Sequence, residues 1–248
     1  MTKAGAVVTG VVFMLSGMVH AAEITVLSGG ALEPGVVAAV AAFQKESGHT
    51  VKVTFNTTPA MVKRISGGDR FDVVIAPPAA IKAIAKDGKI EDGGVNVGQV
   101  GSGVAVRPGA PVPDVSSGEA LKKSVLEAES IVFNRASTGI YIENLFKKMG
   151  IYEQIESKTV RYPDAAAVME HVLKGKGKEI GFAPITEILL YKQKGLLLVG
   201  PLPAEVQNYT SYVAAPMTGG SNKEAAQALV RFLGGPVGKP LFVAAGIE

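Results

Sequence analysis

A short apolar run, a loop of small residues and a helical pattern recur in that order along this chain, and few folds accept such a rhythm. Glu23-Ile24-Thr25-Val26-Leu27 reads as a strand, Ser28-Gly29-Gly30-Ala31 as a flexible loop, and Leu32, Val36, Val40 and Phe43 mark one face of a helix that Gly48 ends. Val51, Val53 and Phe55 alternate with polar residues as a second strand. Asn56-Thr57-Thr58-Pro59 then opens a helix carrying Met61, Val62 and Ile65, with Thr58 expected as its cap and Pro59 as its first residue. Phe71 to Ala76 is apolar apart from Asp72 and leads through Pro77-Pro78 to a helix at Ile81 and Ile84. Strand, loop and helix in repetition predict an α/β protein with a parallel sheet flanked by helices. Ligands of such sheets sit beyond the strands' carboxyl ends, at the helix N-termini. The loops at Ser28–Ala31, Asn56–Thr58 and Ala76–Pro78 all belong to that edge.

The same sequence logic is sharpest at Ser130-Ile131-Val132-Phe133-Asn134-Arg135-Ala136-Ser137-Thr138-Gly139-Ile140-Tyr141. The apolar start suits a buried strand, and Ser137 or Thr138 is expected to cap the helix that follows. Ile140, Leu145, Phe146 and Met149 recur at helical spacing before Gly150. A strand running into a helix start gathers backbone N–H donors and the positive end of the helix dipole, which favours an anion. Arg135 would add a fork of donors for a carboxylate.

A second series of elements follows Val100–Pro108, whose apolar run contains Gly101 and Gly103. It comprises a helix around Ala120–Leu126, the strand and helix just described, a strand near Thr159–Arg161, a helix over Asp164–Leu173, a strand at Glu179–Phe182, a turn at Ala183-Pro184, a helix through Ile188 and Leu189, and a strand at Leu196–Val199. Asp164 is the expected cap of its helix, with Met169 and Val172 facing inward. Gln207–Ala214 would cross back, and helices at Lys223–Phe232 and Val237–Ala244 would complete the first unit. Two doubly wound lobes joined by two crossing strands are therefore expected, with residues 22–104 plus 213–248 in lobe 1 and residues 105–212 in lobe 2.

Residues 1–21 read as a cleaved secretory signal peptide: Lys3 is the charged start, Val7 to Val19 is mostly apolar, and Val19-His20-Ala21 ends in small residues. A membrane helix is the alternative, but Gly10, Ser16 and Gly17 interrupt a run that is already short. The absence of cysteine excludes a disulfide scaffold, thiolate metal ligands and a lipid-bearing N-terminal cysteine. The formal charge of +3 is spread along the chain, so nucleic-acid binding is not indicated, while a small anionic ligand is mildly favoured. His49 and His171 lie far from any carboxylate pair with ligand spacing, so no metal is expected. No nucleophile elbow, phosphate loop or dinucleotide fingerprint occurs, so no cofactor is implied. Arg161 or Asp164 would stand at the second lobe's pocket edge. Tyr141 faces pocket or core, and Asn134 has either a ligand or a turn role.

The pieces Ile24-Thr25-Val26, Lys63-Arg64-Ile65 before Phe71-Asp72-Val73-Val74-Ile75, Gly139-Ile140-Tyr141, Glu179-Ile180-Gly181 and Phe232-Leu233-Gly234-Gly235-Pro236 stand in an order that resembles the periplasmic solute-binding proteins of ABC importers, of the molybdate-binding type. The resemblance implies a type II periplasmic binding fold, a hinge, a monomer in the periplasm, a membrane permease as partner, and an oxyanion held by hydroxyls and backbone N–H groups. Carried onto this chain, the ligand-binding positions are Ser28, Gly29, Gly30, Ala31, Thr57, Thr58, Pro77, Arg135, Ser137, Thr138, Gly139, Tyr141 and Pro184. That family usually has a Ser where Ala31 stands and a Tyr where Ala183-Pro184 follows the strand. Losing two hydroxyl donors costs a bound molybdate about 1–3 kcal/mol each if they are buried, so a small organic carboxylate or another oxyanion is expected, with molybdate or tungstate as the alternative. The resemblance extends to an aconitate isomerase on the same fold. That activity would need an acid/base group beside a tricarboxylate, for which Tyr141, Asp164 and His171 are the expected candidates.

Overall fold

The computed structural model describes residues 21–248. All of the expected signal peptide except Ala21 lies outside the described residues. The first elements are β1 (Glu23–Gly29), α1 (Glu33–Ser47), β2 (Thr50–Asn56), α2 (Thr58–Ser66), β3 (Val73–Ala76) and α3 (Pro78–Lys86). A single 3-10 turn, Gly30–Leu32, joins β1 to α1. Strand β1 runs parallel to both β2 and β3. Val36, Val40 and Phe43 of α1 are buried as their spacing predicts, each contributing about 1.5–3 kcal/mol by leaving water. Gly48 ends α1 at φ 71°, a left-handed conformation that suits glycine. The start of α2 departs from expectation by one position: Thr57 is its cap residue and Thr58 already helical.

The long strand β4 (Val95–Val106) is followed by α4 (Gly118–Glu127), β5 (Ser130–Asn134), α5 (Ser137–Lys148), the short α6 (Tyr152–Ile155), β6 (Thr159–Tyr162), α7 (Ala165–Lys174), β7 (Glu179–Pro184), α8 (Ile185–Leu190) and β8 (Leu197–Pro201). Strand β9 (Tyr209–Pro216) then returns, and α9 (Lys223–Leu233) and α10 (Gly238–Ala244) close the chain. The strands form one sheet in the order β2-β1-β3-β9-β4-β7-β5-β6, with β8 also on β4. Strand β5 is parallel to β6 and β7. The sheet is parallel within each half, as the strand–loop–helix order predicts, and antiparallel at its centre, where β9 is antiparallel to both β3 and β4, and β4 to β7 and β8. A strand that crosses between lobes and one that returns must run in opposite senses.

Each half of the sheet is covered on both faces. In the first half, one apolar cluster gathers Val36, Leu229 and Phe242 from α1, α9 and α10, and a second gathers Met61, Ile65 and Ile84 from α2 and α3. In the second half, Leu121, Phe146 and Ile155 pack on one face and Val168, Val172 and Ile188 on the other. This is doubly wound packing, twice. The inward residues of α5 are Ile142, Leu145 and Phe146, whereas Ile140 faces solvent. The change of face follows from the helix beginning at Ser137, which sets its rotation. Asp72, the one charge in an apolar run, is buried and accepts from Thr25 N at 2.7 Å, Thr25 Oγ1 at 2.7 Å and Asn222 N at 3.0 Å. It ties β1 to the chain that enters α9.

Candidate functional site

The carboxyl ends of β1, β2, β5, β6 and β7 open into one cavity of about 350 Å³ between the halves of the sheet. Its walls come from Gly29–Ala31, Asn56–Thr58, Ala136–Thr138, Pro163–Ala166 and Pro184. These are the residues that enter helices, and the first N–H groups of a helix have no partner within it. In α5 the N–H of Ile140 reaches Ala136 O, while Ala136 N and Gly139 N both donate to Asn134 Oδ1 at 3.0 Å. Asn134, not Ser137 or Thr138, is therefore the side chain that ties this corner, and the capping role read from the sequence is corrected. The N–H groups of Ser137 and Thr138 are left free by helix geometry, and both residues line the cavity. Gly139 makes the corner possible: a Cβ there would overlap the backbone carbonyl of Asn134.

On the opposite wall, Met61 N bonds Thr57 O, which leaves the N–H groups of Thr58 and Ala60 free at the start of α2. Ser137 Oγ donates to Thr58 Oγ1 at 3.4 Å, so the two walls nearly touch. Asp164 caps α7 as the sequence predicts, accepting from Ala167 N at 2.9 Å, and Ala165 and Ala166 present the remaining first-turn amides. Thr186 Oγ1, buried, donates to Ala31 O at 2.6 Å and pins α8 to the turn after β1.

Of the residues expected to bind ligand, Gly29, Gly30, Ala31, Thr57, Thr58, Ser137, Thr138 and Pro184 line this cavity. Five do not. Ser28 is buried beneath it, its hydroxyl donating to Gly29 O at 3.3 Å. Pro77 stands between β3 and α3 and is not among the residues lining the cavity. Gly139 is held against Asn134 behind the first turn. Arg135 is exposed outside the cavity, with its backbone N–H on Tyr162 O at 2.8 Å. Tyr141 turns away as well: its hydroxyl donates to Val206 O at 2.7 Å beside a separate hollow formed with Gly118, Leu145 and Glu205. His171 sits on α7 with its Nδ1 2.9 Å from Tyr162 Oη, not in the cavity. Arg161 is spent on Glu143, on Asn134 O at 3.1 Å and on the face of Phe133.

Several lining residues escaped the sequence reading. Tyr212 of β9 stands behind Gly29, close enough that a Cβ at Gly29 would come within 2.9 Å of its ring, and burial pushes its phenol well above the ordinary value. Glu33 and Glu187 join Asp164, so among the described residues three carboxyl groups line the wall, and no Lys, Arg or His does. Among the described residues no three such side chains converge closely enough to hold a metal ion. Burial, reinforced by the charges of Asp164 and Glu33, pushes the Glu187 carboxyl up to about 7. Two like charges about 4 Å apart near a protein surface repel by about 4 kcal/mol, so an anion and an ionised Glu187 are poor neighbours. The rule that located Ser137, a first-turn residue just past a strand's carboxyl end, would also have located Glu187, three residues after Pro184.

A family model described as bacterial extracellular solute-binding protein matches residues 24–248. The chain belongs to that family. Among characterised members, it is 29% identical over 217 residues to an aconitate isomerase from a Pseudomonas species, covering 85% of this chain and 81% of that protein. It is 30% identical over 201 residues to the molybdate-binding protein ModA of Azotobacter vinelandii, covering 78% of this chain and 77% of that one. The solved structure of the Azotobacter vinelandii periplasmic molybdate-binding protein superposes with a TM-score of 0.73 at 15% identity, over 91% of this chain and 98% of that one. This solute-binding protein is thus ModA-like, with the type II periplasmic binding fold, and the cavity lies between its two lobes. No described helix is long and apolar enough to cross a membrane.

Proposed function

We propose that this solute-binding protein is exported to the periplasm, where it captures a small organic carboxylate in the interlobe cleft and hands it to a membrane ABC permease. The observation that carries the reading is the meeting of free first-turn amides from α2 and α5 with the hydroxyls of Thr58 and Ser137 across one cavity. Two of the three carboxyl groups are already offset, Asp164 by the N-terminus it caps and Glu33 by its place in the first turn of α1. The donors of α2 and α5 have no such counter-charge. The cavity, about 350 Å³, is many times the roughly 30 Å³ share of one water, so there is room for more than a five-atom oxyanion. Ala31 and Pro184 bring no hydroxyl to it, which leaves a small tetrahedral oxyanion with fewer donors. A thermal-shift screen with molybdate, tungstate, sulfate, phosphate and di- and tricarboxylates tests this. A tricarboxylate at 100-fold its dissociation constant adds about 2.7 kcal/mol of stability. A response to molybdate alone would sink the preference for carboxylates.

A second reading is an aconitate isomerase-type enzyme on the same fold. It is supported by the 29% identical relative of that name and by two carboxyl groups, Asp164 and Glu187, in the cleft wall. Moving a proton between carbons of a bound tricarboxylate needs an acid/base group in the cleft; Glu187, whose carboxyl burial pushes up to about 7, stands there, whereas Tyr141 and His171 lie outside it. Incubation with trans-aconitate separates the two readings: accumulation of the cis isomer supports the enzyme, and its absence supports capture alone.

A further inference from the structure

Resting on the carboxylate-capture reading, we propose that Glu187 takes a proton from solvent as the anion enters and donates the resulting O–H to it, so that capture is coupled to uptake of one proton. The geometry places this carboxyl where an incoming anion must meet it. Helix α8 starts directly after Pro184, and Glu187, in its first turn, lines the cavity. Its Oε1 lies 3.0 Å from where a Cβ at Gly30 would stand, so the carboxyl lies over the bare backbone of Gly30. None of the described hydrogen bonds or ion pairs satisfies Glu187, whereas Asp164 holds Ala167 N, and the deeply placed Thr186 beside it holds Ala31 O.

The charged surroundings act in one direction. Glu33 faces Glu187 from α1, Asp164 from the start of α7 and the Tyr212 phenol from β9. Beyond the far end of α8, Lys194 is held by Glu170 at 2.7 Å near Tyr191, and Lys192 is exposed. Strands β4 and β8 and the turn Gly30–Leu32 carry no ionisable side chain, and the Glu179 of β7 sits at that strand's opposite end against Arg107. With no cation to share the charge, a bound anion deepens the preference for the protonated carboxyl, and the O–H becomes one more donor in a cleft built of donors. The raised titration of Glu187 in the empty cleft agrees with this geometry. Occupancy then responds to pH, and the ligand class narrows to anions able to accept a hydrogen bond from a carboxylic acid.

The test is calorimetric titration of the protein and of Glu187→Gln with trans-aconitate from about pH 7 to about pH 9, where the ligand's own carboxyl groups are ionised, in buffers of different ionisation enthalpy. Wild type is expected to take up about one proton per anion above about pH 7 and to lose affinity about tenfold per pH unit there. Glu187→Gln, neutral and nearly isosteric, is expected to bind with no such slope and about tenfold or more tighter than wild type at about pH 8.5. Equal slopes in both proteins, no proton uptake, or binding that tightens with pH would overturn the proposal. A ligand-free arm separates this from failure of the capture reading: the unfolding midpoints of the two proteins should draw apart as pH rises from about 4.5 to about 7. If neither protein binds trans-aconitate, the carboxylate reading and its coupling fall together, even where that gap is present. An absent gap overturns the protonation of Glu187 whatever binds.

Discussion

Glu187 carries a stability cost that can be read without any ligand. Its ordinary value is 4.5 and burial raises it to about 7 in the folded protein. Below the lower value both folded and unfolded chains hold the proton. Between the two, the unfolded chain ionises while the folded one does not, so stability falls as pH rises and the loss is complete above about 7. At about 1.4 kcal/mol per unit of pKa, the rise from 4.5 to about 7 gives at most about 3.5 kcal/mol, and water in the open cavity reduces it. Glu187→Gln should therefore leave urea unfolding unchanged at about pH 4.5 and stabilise the protein by about 2–3 kcal/mol at about pH 8. Asp72 behaves in the opposite sense. Burial resists its ionisation, but hydrogen bonds from Thr25, Asn222 and Ser221 outweigh that and hold its carboxyl below the usual range. Its contribution is present above the ordinary carboxylate value and is lost as pH falls through the depressed one. Asp72→Asn, which removes one acceptor oxygen, should cost about 1–3 kcal/mol at neutral pH, with the difference from wild type shrinking in acid. Denaturant titrations at both pH values check it.

At the scale of elements, the corner between β5 and α5 concentrates what the sequence made visible and what it hid. The apolar run Ile131–Phe133, the small residues after it and Gly150 at the end were sufficient to place strand, turn and helix within a residue or two. Periodicity reports which residues are apolar, and burial followed it for Val36, Phe43, Leu145 and Phe146. It does not report where a side chain's polar atom goes, and that decided the site. Asn134 took the turn role because its Oδ1 lies within reach of two N–H groups, while Arg135, just past the end of β5, has its backbone N–H on Tyr162 O and its side chain in solvent. Tyr141 left because its position on α5 carries it to Val206. Tyr212 was missed for another reason: the wall it shares with Gly29 is formed by chain segments more than 150 residues apart, and no local pattern connects those, whereas Glu187, in a first helical turn past a strand's end, is within reach of the local rule that found Ser137. Asn134→Ala should cost about 1–3 kcal/mol by orphaning two amide donors, and should weaken anion binding by tilting the first turn of α5. Gly139→Ala should be as damaging, about 2–3 kcal/mol, because the clash is with backbone and no rotamer relieves it. Thermal unfolding with and without ligand distinguishes a softened corner from a lost fold.

For the whole molecule, two lobes share strands β4 and β9, and contacts across the cleft are few. At Ser102 the partner of β4 changes: Val95–Gly101 pairs with β9, and Ser102–Val106 with β7 and β8. Gln207 clamps that change of partner, accepting from Ser102 N at 3.0 Å and donating to Ser102 O at 3.0 Å. Away from this junction, Thr186 to Ala31 and Ser137 to Thr58 reach across between helix starts of opposite lobes. From that distribution we infer a hinge at Gly101–Ser102, the place where β4 exchanges its pairing partners, with these two bonds as its latch. The latch is also weak enough to be set by a ligand. A net hydrogen bond is worth about 1 kcal/mol, which changes a two-state ratio about fivefold, whereas an anion gripping both walls contributes several times that. Thr186→Val removes the hydroxyl and keeps the shape, so it should populate the open form in the ligand-free protein and weaken anion binding about fivefold, without the pH signature of Glu187→Gln. Solution scattering should record a larger radius of gyration for Thr186→Val than for wild type, and saturating anion should bring both to the same compact value. Curves that coincide for both proteins, with and without ligand, would remove the hinge and leave a rigid cleft in its place.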